Sequence, residues 1–265
     1  MKGIILSGGT ATRLFPLTAT TSKQLLPVYD KQMIFYPLNT LVKAGIKEIL
    51  IIVSPEQSGQ YLNLLGSLFK DFGITLIFDV QRVPCGLAEA FILGEKFIGE
   101  ENVVMILGDN IFEDDLGDSI KSFQSGGMIF AKEVSDPKRF GIIEFNETGK
   151  AVSIEEKPNT PKSNFCVTGA YVYDKRVVSI AKNLEPSDRG EIEITDINKK
   201  YLEMGELIVK KIQGEWLDAG TFDSLLEAGN IVKSKELNKK FDPTINKAIL
   251  KFNEELKVIS KKRLK

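Results

Sequence analysis

The stretch SGGTATR, residues 7–13, follows the apolar run Gly3–Leu6 and is built from residue types that hold phosphate. Gly8 and Gly9 permit a tight turn and close backbone approach, the amides of the loop through Ala11 and Thr12 can cradle anionic oxygens, and Arg13 adds a charged fork. It matches neither GxGxxG nor the P-loop, which needs GK[ST] after its second glycine. Ala11 is read as opening a helix, where its methyl is harmless; in left-handed dihedrals it would cost about 1–2 kcal/mol. Downstream, TSKQLLP (21–27) supplies Lys23 and Gln24. A Lys and Arg pair meets the spread charge of a triphosphate, although either side chain also suits a surface ion pair.

Further polar residues punctuate the chain. ILGDN sets Asp109 and Asn110 after the apolar run Val103–Leu107, where a carboxylate either ligates a hard cation such as Mg²⁺ or caps a following helix. Asp218, in GEWLDAGT beside the only tryptophan, has the same two readings. Gln81 offers both a donor and an acceptor to a base edge. Glu156 and Lys157 of EEKP could read sugar hydroxyls and phosphate, and DRGEIEITD adds Arg189. Each of these is also an ordinary surface feature.

Composition narrows the chemistry. The chain has no histidine, which removes His acid/base catalysis, Ser-His and Cys-His nucleophiles, and His-rich metal sites. Any reaction must run on carboxylates, Lys, Arg and backbone. A net charge of -1 gives no field for a nucleic-acid backbone. Cys85 and Cys166 have no CxxC spacing, so neither a disulfide framework nor a zinc site is expected. With no leader pattern and no 18-residue apolar run, the expectation is a soluble, cytoplasmic protein with no membrane partner.

The elements that must position these groups alternate in the first half. Strands are expected at Gly3–Leu6, Glu48–Val53, Thr75–Asp79 and Val103–Leu107, with helices at Met33–Ala44, Gln57–Phe69 and Leu87–Ile98. The βαβ order predicts an α/β fold with a parallel sheet, whose loops after Leu6, Asp79 and Leu107 converge on one cleft. The second half reads as strands and hairpins at Met128–Val134, around Gly141 to Pro158 and at Val167–Tyr173. Helices return at Arg176–Leu184, Ile192–Met204 and Thr221–Lys235, around a strand at Leu207–Ile212. One domain over 1–240 and a short tail over 241–265 is the simplest division, with the Lys-rich stretch Lys251–Lys265 read as a solvated helix or frayed end.

Together LSGGTATRLFPLT, SKQLLPVYDKQMIFYPLNTL, QRVPCGLAEAF, LGDNIF, FGIIEF, EEKP, VTGAYVYD, RGEIEITDIN and WLDAGTFDSLLEA resemble the sugar-nucleotide pyrophosphorylases, a nucleotidyltransferase family, and most closely its thymidylyltransferase branch. The resemblance implies a Rossmann-like, mixed but mainly parallel sheet flanked by helices, with a smaller β-rich sugar-binding lobe. Residues 1–127 would mainly bind nucleotide and 128–240 mainly sugar phosphate. It implies Mg²⁺-dependent transfer from dTTP to glucose 1-phosphate, giving dTDP-glucose and pyrophosphate by in-line attack, in a homo-oligomer. UTP or another sugar 1-phosphate is the nearest alternative, and a non-catalytic regulatory relative a distant one.

Carried over by position, Arg13, Lys23 and Asp109 would be catalytic, and Asp109 and Asp218 would hold the metal. Gly8, Gly9, Ala11, Thr12, Arg13, Gln24, Gln81, Gly86, Asp109 and Asn110 would bind nucleotide. Gly141, Glu156, Lys157, Val167, Tyr171 and Arg189 would bind sugar phosphate. The chain departs from the pattern with Ala11 in place of Gly, Gln32 in place of Pro and Cys85 in place of an Asp beside the nucleotide. The stretch after Gly229 is dissimilar too, which leaves the family's secondary nucleotide site and tetramer formation without their expected helices.

Overall fold

The computed structural model describes residues 1–9 and 11–263, the last six by backbone alone, so Thr10 of the first loop lies outside the described residues. The apolar run after Lys2 forms β1 (Lys2–Ser7). A short hairpin, β2 (Pro27–Val28) and β3 (Lys31–Gln32), leads into α1 (Phe35–Lys43). The alternation continues with β4 (Glu48–Val53), α2 (Ser58–Leu65), β5 (Thr75–Val80), α3 (Glu89–Leu93), α4 (Glu95–Ile98) and β6 (Val103–Leu107). Then come β7 (Asn110–Phe112), α5 (Gly117–Lys121), β8 (Gly127–Glu133), β9 (Gly141–Phe145), β10 (Ala151–Glu156) and β11 (Phe165–Tyr173). The chain closes with α6 (Val177–Lys182), α7 (Ile194–Glu203), β12 (Leu207–Lys211), β13 (Trp216–Asp218), α8 (Phe222–Ser234) and α9 (Pro243–Arg263).

Nine of the described strands form one sheet in the order β10-β9-β11-β6-β1-β4-β5, with β8 joined to β11 and β12 to β8. The half made of β5, β4, β1 and β6 is parallel. β11 enters antiparallel to β6, so the strands of the second half continue the same sheet. Helices cover both faces, which is why β4 is a near-unbroken Ile/Leu/Val run instead of an alternating one. Successive residues feed opposite cores. Ile5, Ile49, Ile51, Val104 and Ile106 pack with α1, while Ile4, Leu50, Ile52 and Met105 pack with Phe91 of α3 and Val177 of α6.

The helices are shorter than the apolar periodicity suggests. The stretch expected as Gln57–Phe69 is helical only to Leu65, and the one at Leu87–Ile98 splits at Gly94. Gly94 lies against the sheet, where an added β-carbon would come within 3.1 Å of Ile4 Cδ1. The C-terminal stretch is a helix whose first turns are anchored: Ile245 and Ala248 are fully buried, and the Asp242 amide donates to Asn39 Oδ1 of α1 at 2.7 Å.

Candidate functional site

The loops at the carboxyl ends of β1, β5 and β6 meet, as the βαβ order requires. A β-carbon at Gly8 would lie 2.6 Å from Gln81 Oε1, and the Gly108 amide donates to the Leu6 carbonyl at 2.9 Å. In the first loop Gly9 has φ 95°. Ala11 does not take the ordinary dihedrals expected of a residue opening a helix: φ 47° and ψ 34° are left-handed, and the 3-10 turn Thr12–Leu14 follows. The reason is visible in its partners. The Ala11 carbonyl accepts from the Leu14 amide at 3.1 Å and from Thr18 Oγ at 3.0 Å, which fixes the reversal that turns Arg13 inward.

Arg13 reaches across to the far side of the cleft, where its guanidinium would lie 3.0 Å from a β-carbon on Gly220. Lys23 donates to Asp109 Oδ2 in a short ion pair, with both side chains mostly shielded. Gln24 is buried and its oxygen accepts from Ser22 Oγ at 2.6 Å, so it holds the Lys23 turn in place. Asn110 braces the centre: its Nδ2 donates to Asp109 Oδ1 at 3.0 Å, and its Oδ1 accepts from the Gly169 amide at 3.0 Å and Trp216 Nε1 at 2.5 Å.

Asp109 and Asp218 are 109 positions apart, yet β7 and β13 form a two-stranded antiparallel ribbon in which Asn110 is the partner of Asp218. The ribbon brings the two carboxylates to one point. Neither is a helix cap, since Asp109 precedes a strand and α8 is capped by Thr221, whose Oγ accepts from the Ser224 amide. Burial works against the charge of Asp109, but the ammonium of Lys23, its hydrogen bond and the Asn110 amide together hold the carboxyl below its ordinary range. Burial and then the charge of Asp109 push Asp218 up to about 6, with Lys23, Arg13 and Arg139 only partly offsetting them. Two carboxylates in repulsion are a donor set that fits a hard divalent cation.

A cleft of about 380 Å³ continues from these aspartates, lined by Gly141, Glu156, Lys157, Val167, Tyr171 and Arg189. All six residues named from sequence for the sugar phosphate therefore fall on one surface. Tyr171 is buried on β11 and its hydroxyl is held far into the neutral range by burial. Glu156 accepts from Thr195 Oγ at 2.6 Å, and a β-carbon at Gly141 would come within 3.2 Å of the same carboxylate. Arg189 rests on Glu193 at 2.8 Å and Lys157 lies 3.6 Å from Glu156, so both cations are parked on carboxylates beside the cleft. Gly86, with φ 105°, packs its backbone on Ile192 at a separation that would place a β-carbon 2.4 Å from the Ile192 oxygen.

Sequence reasoning passed over two lining side chains, Arg139 and Thr195, and one outside the cleft, Glu89. Arg139 lies 3.8 Å from Asp218, Thr195 orients Glu156, and Glu89 holds Gln81. Arg139 stands immediately before FGIIEF and Thr195 within DRGEIEITD, so their neighbours were the available signal. Glu89 had none, because its contact is set by a loop closing back on itself.

Residues 2–235 match the nucleotidyl transferase family. A glucose-1-phosphate thymidylyltransferase of Neisseria meningitidis serogroup A is 53% identical over 241 residues, covering 88% of this chain and 83% of that protein. A Bacillus anthracis structure assigned to glucose-1-phosphate thymidylyltransferase, in complex with a sucrose, superposes with TM-score 0.83 at 44% identity, covering 87% of this chain and 94% of the other. A UDP-glucose pyrophosphorylase complexed with UDP-glucose superposes with TM-score 0.77 at 25% identity, covering 88% and 98%. No described helix is long and apolar enough to cross a membrane. With the match spanning nearly the whole of the sheet and both sides of the cleft, the chain belongs to the nucleotidyl transferase family.

Proposed function

We propose that this chain transfers a thymidylyl group from dTTP to glucose 1-phosphate, giving dTDP-glucose and pyrophosphate, with Mg²⁺ held by Asp109 and Asp218. The observation that carries the reading is the layout of charge along one cleft. Arg13, Asp109 and Asp218 line it together with Lys157 and Arg189, and Lys23 is ion-paired to Asp109. That set of charges suits a triphosphate, a cation and a sugar phosphate.

An oxygen of the sugar 1-phosphate attacks the α-phosphorus, the new P–O bond forms, and the bond to the β-phosphate oxygen breaks on the opposite side. No proton need be moved by the protein, which agrees with the absence of histidine. The amides after Gly8 hold the β- and γ-phosphates, Arg13 neutralises the departing pyrophosphate, and Lys23 neutralises the oxygens of the α-phosphate. Lys157 and Arg189 leave their carboxylate partners to grip the sugar phosphate, while Glu156, set by Thr195, accepts from sugar hydroxyls. When bound, Mg²⁺ supplies charge neutralisation to the phosphates. Gln81 reads the edge of the pyrimidine.

Identity to the Neisseria thymidylyltransferase supports dTTP and glucose 1-phosphate as the substrates. UTP is the second reading, because thymine and uracil share the edge that an amide reads. The reading is completed by a homo-oligomer in the cytoplasm, its oligomeric state open to light scattering. The deciding experiment incubates the purified chain with glucose 1-phosphate, MgCl₂ and dTTP, UTP, dCTP or ATP in turn, following pyrophosphate. The expected result is release with dTTP, abolished by EDTA; no release with any of the four would sink the proposal.

A further inference from the structure

Cys85 lies in the loop after β5, and a carboxylate follows it four residues later. Glu89 opens α3, and its Oε2 accepts from Gln81 Nε2 at 2.6 Å and from the Cys85 backbone amide at 3.1 Å. The loop carrying these groups is stitched to its neighbour: the Ile192 amide donates to the Cys85 carbonyl at 2.7 Å, and Gly86 packs flush against Ile192. Glu89 therefore has little freedom to follow Gln81 if Gln81 turns.

We propose that Glu89 is a positioning residue that locks the Gln81 amide in one orientation and so makes the site select 2,4-dioxopyrimidines over aminopyrimidines. The inference rests on the reading that Gln81 faces the base. An ionised carboxylate only accepts, so Gln81 must turn its NH₂ group toward Glu89; reversal would set two acceptor oxygens 2.6 Å apart. One N–H is thus committed, and the oxygen is aimed toward Gly8. The second N–H and Oε1 remain side by side in a fixed order.

Thymine and uracil present an acceptor, O4, next to a donor, N3–H, which this order satisfies. Cytosine presents the reverse, an amino donor next to the bare N3. An amide free to turn would read both; a locked one leaves two unmatched pairs with cytosine. The 5-methyl group lies outside this pattern, so Glu89 does not separate dTTP from UTP.

The test measures kcat/KM for dTTP and dCTP with glucose 1-phosphate in the unmodified chain, Glu89→Gln and Glu89→Ala, together with Tm. Gln in place of Glu89 can donate as well as accept, and Ala offers no acceptor, so either change frees Gln81. The expected result is a dTTP preference of about 100-fold in the unmodified chain that falls at least about tenfold in both variants, with kcat on dTTP retained. An unmodified chain that uses dCTP as readily as dTTP, or variants that fold and keep the full preference, overturns the lock. Gln81→Ala separates the two levels: an unchanged dTTP KM sinks the base contact itself, whereas a raised KM with an unaltered preference in the Glu89 variants sinks the lock alone.

Discussion

Ala11 is the residue at which the phosphate loop departs from easy backbone geometry. At φ 47° and ψ 34° its β-carbon crowds the following carbonyl, a strain of about 1–2 kcal/mol for a residue other than glycine. Ala11→Gly removes that strain and adds about 0.5–1 kcal/mol of unfolded-chain freedom. The net effect is a stabilisation of about 0–1.5 kcal/mol, which at this chain length raises Tm by up to about 5 °C. Nucleotide KM falls by less than about fivefold, because the reversal is already fixed by Leu14 and Thr18 and a smaller free-energy gain is left for binding. Ala11→Val moves both readings the other way, since a β-branched residue suits left-handed dihedrals least. Thermal melts and initial rates over a dTTP series measure the two quantities. An Ala11→Gly protein that melts lower and takes a higher KM refutes the reasoning, for the methyl would then be contributing contacts that outweigh its strain.

The other perturbations address the paired aspartates and the loop carrying Gly86. Asp218 has an ordinary value of 3.8 and is pushed up to about 6, so its contribution to stability is fully present below pH 4 and is lost as pH rises to about 6, a total of roughly 3 kcal/mol in metal-free protein. Asp218→Asn, melted in EDTA, is therefore expected to match the unmodified chain near pH 4 and to exceed it increasingly up to pH 6.5; parallel curves would count against the paired carboxylates. Asp109→Asn removes the partner of Lys23 and one of the two proposed metal ligands, and pyrophosphate release should drop by about 10²–10³. Gly86→Ala drives a β-carbon to 2.4 Å from the Ile192 oxygen, in a left-handed backbone, and should cost more than about 2 kcal/mol and loosen nucleotide binding. A Gly86→Ala protein with unchanged Tm would show that the loop can back away from Ile192.

Much of this was legible in the chain because two kinds of pattern are local. The runs Glu48–Val53 and Val103–Leu107 are apolar without alternation, which only strands covered on both faces tolerate, and both became buried strands as expected. The polar motifs sit where such strands end, so Gly8, Gln81 and Asp109 converge by topology alone. Helix lengths were less legible, since Gly94 ends a helix for a reason found on β1 and β4, not in its own window. The dihedrals of Ala11 answer to Thr18 and Leu14, and the nearness of Asp109 to Asp218 depends on two three-residue strands too short to carry a period. The bond from Glu89 to Gln81 is of the same sort: eight positions apart, it forms only because the intervening loop is stitched to Ile192.

The continuity of the sheet across β6 has a consequence for how such a scaffold can be altered. β6 is hydrogen-bonded to β1 on one side and β11 on the other, so the strand leading into SGGTATR and the strand carrying Val167 and Tyr171 stand two strand spacings apart, about 10 Å. On the proposed placement of the substrates, their separation is set by the backbone of the sheet. If β9, β10 and β11 hold the sugar as proposed, their side chains can be exchanged to admit a different sugar while the line from leaving group to attacking oxygen keeps its length. Recognition can drift at the edges of such a sheet while the reaction stays registered at its centre.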